Sequence, residues 1–359
     1  MTLIALHFSH AATANFLVAG IPAAARAVHQ VALAAEQDQD VEGCVVVVAG
    51  GWAPSQWCRA EFARLARSLV VEIAGDEGAG AAASIVHIRG EELLPARAIL
   101  NMLSGAAHFS AATRTDGAID GAMLQDALRD LRRKGDAIVA ATAKPNDGIV
   151  SRHINRPISQ AISRIVLRLP GVKPVHATIA AAILGLAMAL CLFAGGADGL
   201  IIGAILFQLA SIVDGVDGEI ARATYRSSPE GAMLDSLTDA ATNLSFFAGL
   251  VFNLWLRGQD VAAAAGATGL VLLAAGLFLI GRRARVSGRP FTFDGIKEQF
   301  GANPAKWKQW LTWLTMRDFY AAAAAVCVVA GLASQMLIAF AIVTAGWFVV
   351  SMRVLARAA

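Results

Sequence analysis

Hydrophobic positions follow two regimes along this chain. Up to about Arg168, short apolar stretches alternate with charged ones. Beyond it, apolar runs of about eighteen or more residues recur, which is the length that crosses a bilayer. The first regime predicts alternating strands and helices: Leu3 to Leu6, Cys44 to Ala49 and Ser84 to Ile88 are short β-prone runs, and Ile21 to Ala35 and Ala60 to Val71 carry helical periodicity. A small α/β layer structure is expected there. The second regime predicts six spans, roughly His176 to Ala194, Leu200 to Ala221, Ala232 to Leu256, Val261 to Gly281, Phe319 to Ala333 and Met336 to Met352.

Between the two lies Asp147 to Pro174. Ile154, Ile158, Ile162, Ile165 and Val166 recur at helical spacing, with Arg152, Arg156, Arg164 and Arg168 supplying charge. That pattern describes an amphipathic helix lying in a membrane interface and ending at Pro170-Gly171. Upstream, Arg129, Arg132 and Arg133 mark a charged helix that reads as a solvated face or a contact with surface lipid. The resulting division is an α/β domain over 1–140, a juxtamembrane segment over 141–175 and a six-span bundle over 176–359.

Composition agrees. A hydrophobic share of 57% with 16% charged is too apolar for an ordinary soluble protein. The formal net charge of +3 excludes nothing, but its distribution is informative. Links around Asp198 and Ser334-Gln335 lack Lys and Arg, whereas the opposite side holds Arg222, Arg226, Arg282, Arg283, Arg285, Arg289, Lys297, Lys306, Lys308, Arg317, Arg353 and Arg357. The positive-inside bias then places both termini in the cytoplasm of a multi-pass inner-membrane protein, and favours a membrane over a nucleic-acid partner. No secretory leader pattern opens the chain, because His7, His10, Arg26 and His29 interrupt Met1 to Gln30. Cys44, Cys58, Cys191 and Cys327 lack metal-ligand spacing and read as small buried hydrophobes. Trp307, Trp310 and Trp313 with Lys306 and Lys308 read as an interfacial belt.

Chemistry enters with the acids. Asp214 and Asp217 end the second span, and Asp235 and Asp239 begin the third. Charges bordering hydrocarbon are costly and mark function by default. Spacings of three and four residues set each pair on one helix face, so the two faces can converge. Oxygen-only ligands suit Mg²⁺ or Mn²⁺ better than zinc.

Written out, the run is Asp214-x2-Asp217-Gly218-x2-Ala221-Arg222-x8-Gly231-x3-Asp235-x3-Asp239. It is similar, without gap or substitution, to the signature of the CDP-alcohol phosphotransferase (CDP-alcohol phosphatidyltransferase) family. The resemblance covers about residues 145–359 and implies a six-helix bundle, usually a homodimer, with its cavity open to the cytoplasm. It further implies two Mg²⁺ or Mn²⁺ ions ligated by Asp214, Asp217, Asp235 and Asp239, with Asp239 also the general base. Donor contacts are implied for Asp214, Gly218, Ala221, Arg222 and Gly231. The family's Pro-Asn-x-x-Thr opening of the first span reads here Pro174-Val175-His176-Ala177-Thr178, which keeps Thr178 as a nucleotide contact and replaces Asn by Val. The implied reaction moves a substituted phosphate from a CDP-alcohol, of the CDP-diacylglycerol or CDP-inositol type, to a hydroxyl acceptor such as inositol phosphate or glycerol phosphate, releasing CMP.

Two further stretches narrow the subgroup. Ser151 to Ser159 and Arg317-Asp318-Phe319-Tyr320 resemble segments of the fused inositol-phosphate cytidylyltransferase/di-myo-inositol phosphate phosphate synthase proteins. Val18-Ala19-Gly20-Ile21-Pro22 before a helix resembles sugar nucleotidyltransferases, yet the position of their Gly-rich, Arg-containing loop reads HFSHAATANF, and IVHIRGEELL stands where they place a metal-binding aspartate. A nucleotidyltransferase-like domain without catalysis is the expectation. For an acceptor phosphate, Arg283, Arg285, Arg317 and Arg152 are the candidates, although a plain positive-inside loop explains most of them equally well. The competing classes are a cation carrier or channel, because acids also line ion paths, and a pseudoenzyme scaffold.

Overall fold

The computed structural model describes residues 2–38, 40–74, 85–104, 120–145, 147–286 and 316–357. The tryptophan belt, Lys306, Lys308 and most of the basic stretch after Arg285 lie outside them. The chain divides into two compact units: Met1–Thr142 with Arg164–Val172, and Ala143–Ser163 with Lys173–Ala359.

In the first unit, alternation of Ile4, Leu6 and Phe8 gives β1 (Thr2–Phe8) one buried apolar face. β1 pairs in parallel with β4 (Val41–Val48) and β6 (Ile85–Arg89), and β4 with β5 (Val70–Ala74), in the order β5-β4-β1-β6. Parallel neighbours need a crossover, and α2 (Ala23–Ala35) supplies it between β1 and β4, burying Val28 and Val31. α1 (Ala11–Asn15) and a two-residue hairpin, β2 (Leu17–Val18) with β3 (Ile21–Pro22), precede α2. Arg26 of α2 is buried and donates to the carbonyls of Val18 at 3.1 Å and Ala19 at 3.2 Å, so the expected Val18 to Pro22 turn is tied to the helix it starts. Burial pushes the Cys44 and Cys58 thiols up to about 12, which leaves both inert.

The periodicity over Ala60 to Val71 merges two elements. α3 (Gln56–Leu65) stops where Arg67 turns into the left-handed region at φ 58, and Val70–Ala74 then becomes strand β5. No Gly or Pro announces that break. α4 (Ala96–Leu103) and α5 (Gly121–Ala140) complete the unit.

In the second unit, a π-turn at Ser151–Asn155 runs into α6 (Arg156–Val166), as the amphipathic pattern predicts. Then come α7 (Pro174–Ala194), α8 (Gly196–Ala223), α9 (Pro229–Leu256), α10 (Asp260–Val286), α11 (Arg317–Val329) and α12 (Ala333–Arg357). Four of these, α7, α8, α10 and α12, are long and apolar enough to cross a membrane. Of the other expected spans, α9 has 28 residues but carries Glu230, Asp235 and Asp239 in its first half, and α11 has 13 residues. Leu192 of α7 is the packing centre: a Cβ at Gly203 of α8 or Gly249 of α9 would sit 2.5 Å or 2.6 Å from its side chain. Stacked pairs Phe207–Phe246 and Phe247–Phe340 link α8 to α9 and α9 to α12, with ring centroids 4.0 Å and 3.6 Å apart.

One glycine in the first unit tests the packing there. A Cβ on Gly90 would stand 2.1 Å from Cε2 of Phe8, whose ring is buried in the sheet core. Gly90→Ala is expected to destabilise this unit by about 1–3 kcal/mol. Hydrogen exchange of β1 and β6 in the full chain checks it, and unchanged exchange would show the ring free to give way.

Candidate functional site

The site begins with two helix ends. α9 is capped by Ser228, whose Oγ accepts from the Gly231 amide at 3.1 Å, with Pro229 at the first helical position. This fixes where the helix starts and hence the angle at which Asp235 and Asp239 emerge. α8 carries Asp214 and Asp217 three residues apart on one face. The two faces meet: one oxygen each from Asp214, Asp235 and Asp239 lies within 4.8 Å of the others. Asp217 stands beside this trio, 7% exposed, and accepts from Thr178 Oγ1 of α7 at 2.9 Å. Thr178 is thus buried against a carboxylate.

Like charges this close repel, and Arg317 at the start of α11 offsets part of that. Its Nη1 lies 3.0 Å from Asp214 Oδ1 and also contacts Asp239 Oδ1. Among the described residues, Arg317 in contact and Arg222 acting on Asp217 from nearby are fewer than the four carboxylates, which leaves an excess of negative charge. Asp235 Oδ1 is buried with no hydrogen-bond partner among the described residues. A buried carboxylate oxygen without a donor is costly unless something cationic meets it. An all-oxygen set with an orphaned buried atom fits a hard divalent cation, and Asp214, Asp235 and Asp239 are the residues that could hold it.

The small motif residues find distinct places. A Cβ on Gly218 would come within 3.0 Å of Arg222 Nη1, so the glycine lets the guanidinium fold back over the helix. Gly231 is exposed in the first turn of α9, and Ala221 is half-buried on α8. Arg283 and Arg285 sit in the last turn of α10, half-buried and exposed. Arg152 is exposed and reaches the carbonyls of Pro145 and Asp147 at 3.4 and 3.5 Å. Of the four basic candidates, Arg317 meets the carboxylate trio, through ion pairs with Asp214 and Asp239.

Sequence reasoning passed over Glu219, an unspecified position inside the motif. It is fully buried and takes three partners: Arg156 Nη1 at 2.9 Å, Ser159 Oγ at 2.6 Å and Ser163 Oγ at 2.6 Å. Arg156 in turn grips Asp147 with two bonds, of 2.8 and 3.1 Å. Burial works against the Arg156 charge, but the hydrogen bonds and charges of Asp147 and Glu219 outweigh it and hold the guanidinium above its ordinary value. Asn155 adds bonds to Gln208 and Ser211 of α8, and the Ser151 amide donates to Asp318 of α11 at 2.7 Å. The only clue in the sequence was spacing: Arg156, Ser159 and Ser163 fall on one face of α6.

With this geometry in place, comparisons with known proteins identify the stretch that carries it. Residues 173–347 match the model of the family described as CDP-alcohol phosphatidyltransferase. This stretch is a CDP-alcohol phosphatidyltransferase domain. The domain contains all four aspartates, and with its apolar helices it makes the chain a membrane protein. Curated relatives named "Bifunctional IPC transferase and DIPP synthase" include that of Rubrobacter xylanophilus, 41% identical over 178 residues, or 48% of this chain and 38% of that protein. The relative from Thermococcus kodakarensis is 37% identical over 35% of this chain and 28% of its own length. That from Archaeoglobus fulgidus is 37% identical over 34% and 24%. The similarity therefore spans between 24% and 38% of the length of these relatives.

Glu219→Gln tests the network under the CDP-alcohol phosphatidyltransferase domain. Removing the charge leaves Arg156 with one carboxylate in a buried place, expected to cost about 3 kcal/mol. Amide exchange over 151–163 should rise in the full-length protein while exchange in α10 and α12 stays put. Equal exchange throughout would mean that Glu219 does not hold this segment.

Proposed function

We propose that this protein is a metal-dependent CDP-alcohol phosphotransferase that moves a substituted phosphate from a CDP-alcohol to a hydroxyl acceptor and releases CMP. The observation that carries this reading is the convergence of Asp214, Asp235 and Asp239 next to an unpartnered Asp235 oxygen. The donor is of the CDP-diacylglycerol or CDP-inositol type, and the acceptor a polyol phosphate such as inositol phosphate or glycerol phosphate. The relatives' printed name supports the inositol side of that choice. Two Mg²⁺ or Mn²⁺ ions, when bound, would neutralise the pyrophosphate and favour an in-line displacement.

The chain's own groups have these roles. Asp214, Asp217, Asp235 and Asp239 would hold the metals, with Thr178 orienting Asp217 through its 2.9 Å hydrogen bond. Arg222, folded over Gly218, offers a fork of donors to a donor phosphate. Ala221 and Gly231 leave room for the nucleotide. Asp239 takes the proton of the acceptor hydroxyl as its oxygen bonds to the phosphorus bearing the alcohol and the bond to the CMP phosphate breaks. Arg317 pairs with Asp214 and Asp239, and with cations bound there its guanidinium would be available to the acceptor phosphate. Arg152, Arg283 and Arg285 are supplementary phosphate contacts.

In this reading the bundle has six spans, sits as a homodimer in the cytoplasmic membrane with both termini inside, and follows an α/β domain (1–140) and a juxtamembrane segment (141–175). The α/β domain does not make the donor. Glu91 accepts from the Ser9 amide and hydroxyl, both at 2.6 Å, and from Thr13 at 2.9 Å, so a carboxylate takes the donors after β1 where a phosphate would be cradled.

Purified full-length protein with Mg²⁺ and a panel of CDP-alcohols and acceptors is expected to release CMP. Asp239→Asn should lower the rate by roughly 10²–10⁴-fold, the usual weight of a general base. CMP release that persists in EDTA, or is unchanged in Asp239→Asn, would overturn the proposal.

A further inference from the structure

Apart from the aspartate site, the first unit contains a cavity of about 310 Å³ between α5, the β2–β3 turn and residues 164–168. Arg132, Arg164 and Arg168 line it together with one acid, Asp136, and an apolar wall that includes Phe16 and Leu167. The convergence has a local cause. Arg132 and Asp136 are one turn apart on α5, and Arg164 and Arg168 are one turn apart at the end of α6 and just beyond it. Gly135 lets α5 approach the turn, since a Cβ there would stand 3.1 Å from the Ala19 amide.

The charges do not close on themselves. Asp136 Oδ1 is 3.9 Å from Arg164 Nε, an ion pair but too long for a hydrogen bond. That Nε is buried with no hydrogen-bond partner among the described residues. Three guanidiniums against one carboxylate leave the cavity cationic, and a buried donor aimed at no acceptor calls for an anion. On the same segment Ile165 and Leu169 are 63% and 60% exposed, large apolar side chains beside charged ones, as in helices that lie on lipid.

The geometry points to a second anion site, a phosphate-binding cavity formed by Arg132, Arg164 and Arg168 and distinct from the aspartate cluster. Its ligand chemistry is a phosphate mono- or diester. The charge excess binds the phosphate, Asp136 disfavours a fully ionised dianion close to it, and the Phe16–Leu167 wall accommodates an apolar continuation. This inference stands without the transferase reading, because none of its residues belongs to the carboxylate site.

The test uses the full-length protein and localises binding by hydrogen exchange over 128–140 and 164–172. One arm compares nanodiscs of phosphatidylcholine alone with nanodiscs that also contain phosphatidylglycerol. The other titrates inorganic phosphate at constant ionic strength. Protection of both segments is expected in at least one arm: phosphatidylglycerol alone assigns a lipid-borne phosphate, and inorganic phosphate assigns a soluble ester. Combined Arg132→Gln, Arg164→Gln and Arg168→Gln should raise the half-saturating concentration by about tenfold or more. Asp136→Asn, which keeps every arginine, should lower it several-fold, so a folding defect in the triple variant cannot decide the outcome. Absence of protection in both arms, or equal protection in wild type and both variants, overturns the inference.

Discussion

Four carboxylates at the meeting point of two largely apolar helices set the terms for the rest of the second unit. Each is more costly there than in water, and their proximity adds repulsion. The chain compensates only partly, with Arg317 bridging Asp214 and Asp239, and Thr178 donating to Asp217. What remains, a net negative charge and an orphaned Asp235 oxygen, is a liability for folding and an asset for holding cations. Residues that break a local rule without compensation within the chain belong where a ligand completes the account.

A second polar network lies on the other side of the same motif. Glu219, two residues past Asp217, turns its carboxylate to Arg156, Ser159 and Ser163. One helix, α8, therefore presents acids to two different tasks: Asp214 and Asp217 to the cluster shared with α9, and Glu219 to the anchoring of α6. A change that loosens α6 bears on α8 directly, and so on the backbone that sets the spacing of the aspartates. Asp318 does the corresponding work from α11, accepting from the Ser151 amide next to the Arg317 that meets the cluster. The two stretches that narrowed the subgroup, Ser151 to Ser159 and Arg317 to Tyr320, are thus in contact through this bond.

Much of this was legible in the sequence because it rests on patterns of fixed period. Three- and four-residue spacing put Asp214 with Asp217 and Asp235 with Asp239 on common faces, and the apolar runs located α7, α8, α10 and α12 within a few residues. Strand β1 and the start of α2 were legible for the same reason. Other features depend on contacts that no local pattern encodes. Glu219 reads as an ordinary polar residue until α6 is laid beside it, and Arg317, a candidate phosphate contact by sequence, gives no sign there that it meets two aspartates. β5 escaped because the chain reverses at Arg67, a residue that rarely adopts a left-handed turn, with no glycine to mark it. Glu91 was visible only as an acid after β6; that it takes the Ser9 and Thr13 donors is a matter of tertiary placement.

The central claim is that the aspartate cluster is built for a divalent cation, and Mn²⁺ binding followed by electron paramagnetic resonance tests it most directly. Full-length protein in detergent is titrated with Mn²⁺ and the loss of the free-ion signal is measured for wild type, Asp235→Asn and the first-unit control Asp136→Asn. The account predicts saturable uptake by wild type and by Asp136→Asn, competed by Mg²⁺, with affinity reduced at least tenfold in Asp235→Asn. Equal uptake by wild type and Asp235→Asn, or none by any of them, would contradict it.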